Sequence, residues 1–312
     1  KWGWFPSVSM GWRVSEENFM QNANALNNLK LRASYGATGN YNIPNYGYIG
    51  SLSQTNYVLG DGTGSLVGGL SPSSFSNPEL SWEKNNTLNL GVDIGFLENR
   101  FTLGVDVYRS VTRDLLLNVP IPVISGFSST LQNIGKVENK GLEFELGARV
   151  INTSDFSWRI DGNLSFNRNK VLELGPEGAP IPGFARGTSV TITQIGSPIG
   201  SYFLIPVAGV FMTEEELNSS PKSKTQNVGD LKYVDTNEDG IITDDDKQIV
   251  GKNQPDFTWG LTQTIQYKNF DLSIMAYGES GNHLLNESQG GAGRSHVGNV
   301  LGYWRDRYVS TE

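Results

Sequence analysis

Leu88-Asn89-Leu90-Gly91-Val92-Asp93-Ile94-Gly95-Phe96, then Leu97-Glu98-Asn99-Arg100, then Phe101-Thr102-Leu103-Gly104-Val105-Asp106-Val107 is the stretch on which the fold turns. Large apolar residues take every second position of both runs, and a short polar break separates them. Successive side chains of a strand point to opposite faces, so each run reads as a strand with one apolar and one polar face. The pair reads as a hairpin. The same alternation recurs at 7–14, 29–35, 142–150, 158–166, 257–267 and 270–277. Its apolar face is interrupted only by Gly162 and Gln263. Its polar face carries Arg13, Lys30, Arg32, Asp93, Asp106, Glu143, Glu145, Arg149, Arg159, Asp161 and Asp271.

Two architectures satisfy that pattern. A soluble antiparallel sandwich buries one face and wets the other. A membrane barrel turns the apolar face to lipid, where arginine or lysine at mid-depth costs about 2–4 kcal/mol, and the polar face to the lumen. The connections separate the two readings. After the first pair, joined by 15–28, the links at 97–100, 151–157 and 268–269 are short, while those at 36–87, 109–141 and 167–256 are long. A transmembrane barrel sorts its links this way, with tight periplasmic turns at one end and extended extracellular loops at the other. Trp12, Trp158, Trp259, Tyr267 and Phe270 lie where an aromatic girdle would fall. Arg109 continues the apolar parity of its strand, and climbs far enough from the turn to reach headgroups.

Composition agrees with an all-β chain. Glycine contributes 37 of 312 residues, aromatics make up 11%, and no extended helical pattern appears. The longest apolar run, Leu204 to Met212, is broken by Pro206 and Gly209 and is too short for a membrane helix. A net charge of −8 argues against a nucleic-acid partner, which would need a basic face. The absence of cysteine excludes disulfides and thiolate metal sites. No signal peptide precedes Lys1 and no terminal strand is recognisable before Glu312, so the chain reads as a portion of a single barrel domain spanning 1–312.

Five motifs carry a family resemblance. Asn77-Pro78-Glu79-Leu80-Ser81-Trp82-Glu83-Lys84 and Asn133-Ile134-Gly135-Lys136-Val137-Glu138-Asn139-Lys140-Gly141-Leu142-Glu143 resemble segments that lead into barrel strands of the SusC/RagA family. Asn167-Arg168-Asn169-Lys170-Val171 is similar to its strand-exit motif. The Asp- and Gly-rich stretch from Asp235 to Asp246 resembles a loop of that family, and Tyr267-Lys268-Asn269-Phe270-Asp271-Leu272 its following turn. The resemblance implies a TonB-dependent receptor of the Bacteroidetes type in the bacterial outer membrane. About eight strands of a barrel of about 22 would be present here. A plug inside, a SusD-type lipoprotein lid outside and the TonB complex as energy source are the implied partners, besides outer-membrane lipid. The implied activity is import of an oligosaccharide or glycan fragment, with peptide as the other cargo. The plug and the terminal strands are not recognisable in this stretch.

One candidate metal site stands out. Asp235, Asn237, Asp239, the carbonyl of Ile241 and Asp246 occupy positions 1, 3, 5, 7 and 12 of an EF-hand-like loop, with Gly240 at position 6 for the sharp turn. The expected ligand is Ca2+, held weakly because Asp246 replaces the usual glutamate. The competing reading is an acidic turn organised by its own Asx hydrogen bonds. It lies within the long 167–256 connection, expected to be extracellular.

Catalytic groups are sparse. His283 and His296, the only histidines, lack the spacing of a zinc pair, and Gly290-Gly291-Ala292-Gly293-Arg294 lacks the lysine of a phosphate loop. The strand carboxylates Glu143, Glu145 and Asp161 are explained as lumen lining, so no enzyme is expected. Tyr41, Tyr46, Tyr48, Tyr57 and Phe75 in the first long link suit either sugar stacking or loop packing. The alternative to transport is a calcium-stabilised extracellular β-sandwich, a binding module or adhesin, with the apolar faces packed together.

Overall fold

The computed structural model describes residues 2–20, 25–43, 45–60, 64–127, 129–175, 178–185 and 187–286. Its main body is an eight-stranded antiparallel sheet of chain neighbours. The strands are β1 (Ser7–Arg13), β2 (Leu26–Asn40), β3 (Glu83–Phe96), β4 (Phe101–Pro120), β5 (Ser129–Asn152), β6 (Phe156–Leu174), β7 (Phe257–Tyr267) and β8 (Phe270–Ser280). Every segment expected from alternation is a strand, and each pairs with the next.

Register makes the two faces continuous. One row across the sheet reads Trp12, Leu31, Val92, Val105, Phe144, Leu164, Trp259. The adjacent row reads Arg32, Gly91, Asp106, Glu143, Ser165, Thr258. A slip of one residue on any strand would put charges into the apolar face, so the pattern selects this register alone. Leu90 and Val107 are each 53% exposed on the apolar side, and Leu272 and Ile274 are exposed as well. No second layer covers that face among the described residues. A sandwich would have buried it, so the sandwich alternative fails and the sheet is built as a lipid-facing wall.

The short link at 97–100 is a tight turn in which Leu97, Glu98 and Asn99 all take positive φ, at 51°, 58° and 55°. It is tied to its neighbours: the Leu97 N–H donates to the Ala25 carbonyl at 3.1 Å, and the Arg100 guanidinium to the carbonyls of Arg149 and Val150. Tyr267 and Phe270 flank the two-residue turn between β7 and β8, both exposed, as a girdle requires.

The links read as long are partly strand. β5 has 24 residues and β4 has 20, so their connection shrinks from 109–141 to 121–128, while β6 continues to Leu174. Alternation did not reveal these extensions because pairing outside lipid does not require an apolar face. A register shift between Thr112 and Leu115, beside Asp114 at φ 58°, marks the change of environment. Above it Val137, Val171 and Leu174 bury against Leu115, Leu117 and Ile181.

Three of the sequence motifs meet in this extension. Asn133 Nδ2 donates to the carbonyls of Ser81 at 2.8 Å and Asp114 at 2.7 Å, and its Oδ1 accepts from the Ser81 N–H at 2.8 Å. Asn139 Oδ1 accepts from Asn169 Nδ2 at 2.9 Å, and Asn169 Oδ1 accepts from the Ile199 N–H. Their asparagines are cross-strand staples for backbone that the sheet leaves unpaired.

The chain divides into two compact units. The first, Lys1–Ile181 with Thr193–Ile199 and Asp256–Ser280, holds the large sheet. The second holds Pro182–Ile192, Gly200–Pro255 and Gly281–Glu312. Within the first, 41–82 carries a separate hairpin of Leu52–Leu59 and Ser65–Pro72. A four-stranded sheet of Gln248–Gly251, Ser201–Leu204, Thr188–Thr193 and Ile181–Ala185 organises the long link after β6.

Candidate functional site

The polar face of the large sheet is concave. A hollow of about 650 Å³ is lined by Arg13 on β1, Lys30 on β2, Asp93 on β3, Glu145 on β5, Arg159 on β6 and Thr262 on β7. Side chains from so many neighbouring strands share one space only if the sheet curls toward them. Curling toward the polar side puts water within and the apolar residues without, the inverse of a soluble barrel.

Arg32 is the best-organised group on this wall. Its guanidinium makes two bonds to Asp93, at 2.8 and 2.9 Å, and two to Asp106, at 2.7 and 2.9 Å. Asn89 Nδ2 adds a donor to Asp106 at 2.9 Å. Arg32 faces Gly91 directly, and Gly91 faces Asp106. A Cβ on Gly91 would meet Asp106 Oδ1 at 2.5 Å and Arg32 Cζ at 2.8 Å, so glycine is the residue that lets the fork cross one strand. Sequence placed all three charges on this face but could not say that they meet. Their partnership depends on the register of three strands at once.

The Asp235–Asp246 loop lies in the second unit, with Glu238 at φ 60° and Gly240 at φ 83°. Gly240 N–H donates to Asp235 Oδ2 at 2.8 Å. Asp239 is turned onto its neighbours: its Oδ1 accepts from the Ile241 N–H at 2.8 Å and its Oδ2 from Asn237 Nδ2 at 3.0 Å. Asp246 is fully buried, and its two oxygens accept the N–H groups of Thr236 and Thr243, each at 2.8 Å. Those amides hold its carboxyl below the ordinary value of 3.8, the Thr243 N–H contributing most.

The sign of the pH effect follows from that shift. A folded value below the unfolded one stabilises the loop above the unfolded value, and the stabilisation is lost as pH falls through the folded value. Protection of the Thr236 and Thr243 amides, taken relative to exchange of the unstructured chain at each pH, is therefore expected to fall selectively below about pH 3.8. Unchanged protection of these two amides down to pH 2 would refute Asp246 as the loop's organiser.

Among the described residues no group of three or more His, Cys, Asp or Glu side chains lies close enough to hold a metal. Within the loop one atom is nevertheless unaccounted for. Asp235 Oδ1 is buried without a hydrogen-bond partner, at the first ligand position of the loop. Of the remaining candidates, His283 sits against Gly251 and donates its backbone N–H to the Lys252 carbonyl, and among the described residues it belongs to no metal-ligating group. His296 and Gly290 to Arg294 lie outside the described residues. Tyr41 packs on Trp82 at 5.3 Å between ring centroids and Phe75 on Phe127 at 5.9 Å, so these two aromatics brace the loop.

Comparison with known proteins agrees with this geometry. A TonB-dependent receptor, P26, of Formosa agariphila is 37% identical over 290 residues, covering 92% of this chain and 29% of the relative. The TonB-dependent receptor SusC of Bacteroides thetaiotaomicron is 36% identical, covering 91% and 28%. Among solved structures, that of the RagAB peptide transporter superposes with a TM-score of 0.80 at 27% identity, covering 98% of this chain and 33% of that one. The chain thus spans about a third of the length of the relatives it matches. The family model described as TonB dependent receptor-like, beta-barrel, matches residues 1–305. An apolar-out, polar-in antiparallel wall with this match belongs to the TonB-dependent receptor β-barrel family, whose members are outer-membrane receptors and transporters and not enzymes.

Proposed function

We propose that the full-length protein imports a bulky polar nutrient across the outer membrane, driven by TonB and assisted by a SusD-type lipoprotein. The observation that carries this reading is the curled wall, with Leu90 and Val107 exposed outside and the paired charges of Arg32, Asp93 and Asp106 inside. Such a wall suits a hydrated passage, and its mixed charge suits a polar cargo. An oligosaccharide is the first cargo, on the resemblance to SusC/RagA sequences. Peptide is the second, favoured by the likeness to the RagAB peptide transporter.

The test is uptake by cells lacking the protein. Labelled oligosaccharides and labelled peptides of matched size are offered to wild type, deletion strain and a strain without TonB. Loss of oligosaccharide uptake in both mutants is expected. Loss of peptide uptake alone would transfer the assignment to the second cargo, and loss of neither would end the import reading.

We further propose that Asp235, Asn237, Asp239, the Ile241 carbonyl and Asp246 hold Ca2+. The unpaired Asp235 Oδ1 supports it, because a buried carboxylate oxygen without a donor is costly unless a cation meets it. Bound, the ion would crosslink the loop and present a constant surface to the lid. Wild-type protein is expected to carry about one calcium by elemental analysis. The double substitution Asp235→Ala, Asp239→Ala is expected to lose the calcium, become protease-sensitive within 230–250 and recover less lid protein, with the barrel still folded by heat-modifiable mobility. Equal calcium in both proteins would sink the site. Calcium loss without change in protease sensitivity or lid recovery would leave the site without its organising role.

A further inference from the structure

The apolar outer face of the large sheet ends in a row of cations. Register sets Leu88 opposite Arg109, Arg109 opposite Lys140 and Lys140 opposite Arg168. At ~4.8 Å per strand the three span about 10 Å. Each side chain is 60% exposed. On the same face Leu90, Val107, Leu142 and Phe166 line an open apolar groove of about 340 Å³ that runs up to these cations.

The row is built as well as exposed. Glu138, its side chain only 7% exposed, accepts from Arg109 Nε at 2.5 Å and Lys140 Nζ at 2.9 Å, so one buried carboxylate clips two cationic heads at fixed spacing. Arg168 pairs with Asp256. Three cations less two carboxylates leave a charge of +1, and Lys170, opposite Glu138, raises it to +2. From Phe101 to Arg109, at ~3.3 Å per residue and a ~45° tilt, the strand climbs roughly 20 Å from the short turn. That is close to the top of an apolar band about 25 Å tall, on the side of the long loops.

We propose that the row and groove form a discrete site for one glycolipid of the outer leaflet that carries phosphate on its sugar headgroup. The phosphates are held by Arg109, Lys140 and Arg168, and an acyl chain lies along Leu90, Val107, Leu142 and Phe166. Guanidinium forks match phosphate oxygens, and the row is wider than the single phosphate of a glycerophospholipid needs. General contact with a bilayer would require neither a fixed cation spacing nor a groove ending at it.

The test uses the full-length protein in nonionic detergent, titrated with purified diphosphoryl lipid A and followed by native mass spectrometry. Wild type is compared with the triple substitution Arg109→Gln, Lys140→Gln, Arg168→Gln and with Lys268→Gln at the opposite rim. The triple variant is expected to bind at least tenfold more weakly, and Lys268→Gln as wild type. Should the triple variant fail the heat-modifiability check, Lys140→Gln and the groove-filling Val107→Trp are each expected to reduce binding severalfold. Wild-type affinity in the folded variants would overturn the site. Equal binding of phosphatidylglycerol would overturn the glycolipid assignment, and displacement by inorganic phosphate at equal concentration would reduce it to an anion site without a lipid.

Discussion

Leu90→Arg is expected to lower the folding stability of the full-length barrel in lipid vesicles by about 2–4 kcal/mol, the cost of arginine near the bilayer midplane. Leu90 lies in the middle of β3, 53% exposed on the apolar face and about 14 Å up from the short turn in an apolar band about 25 Å tall. Val105→Arg and Ile274→Arg belong to the same class. The comparison is a polar-face site, and Thr262→Arg serves better than Asp93 or Asp106, because both of those carboxylates already clamp Arg32. Thr262 pairs with Asp161, whose carboxylate already holds Arg159, so the new cation would rest on the hydrated polar face, and a cost below about 1 kcal/mol is expected there. Similar losses at Leu90 and Thr262 in urea unfolding from vesicles would mean that inside and outside are wrongly assigned.

Removing the clamp should be the next largest effect. Arg32→Leu leaves Asp93 and Asp106 facing each other with no cation between them. The side chains are 22–33% exposed, so the loss belongs between a surface pair and a buried one, about 1–3 kcal/mol. Gly91→Val is expected to cost a similar amount by a different route, since its Cβ would push the same guanidinium and carboxylate apart. Both act on one network, so the double variant should cost clearly less than the sum of the two. Strict additivity in the same unfolding assay would show that Gly91 matters for the backbone and not for the clamp.

Much of this fold was legible because two solvents write on opposite faces of every strand. Val8 to Arg13, or Phe270 to Ile274, needs no partner to reveal its alternation. Where lipid ends, that signal ends. The upper part of β5 carries Asn133, Lys136, Glu138, Asn139 and Lys140 in an order that follows backbone stapling and ion pairing, and so it read as a loop. The hairpin of Leu52–Leu59 and Ser65–Pro72 had a usable cue in Gly60 and Gly64 between β-forming runs, but its apolar side chains lack a regular face. The sharp acidic turn of Asp235 to Asp246 was legible as spacing, since positions within a short loop are local. The Arg32 clamp was not, because its three members are brought together by pairing between strands that are distant in sequence.

The length of β5 sets how far this protein stands above the cell. Its 24 residues, at about 3.3 Å each and a ~45° tilt, rise roughly 55 Å, against an apolar band of about 25 Å. The last four residues of β5 lie on the short-turn side of the Phe101–Ala148 pair, so the hairpin itself rises about 45 Å and some 20 Å of it is a stiff stalk outside the bilayer, wedged by Val137, Val171 and Leu174. Antibodies against the segment 121–127 should then bind intact cells, whereas antibodies against Leu97 to Arg100 should bind only after the outer membrane is opened.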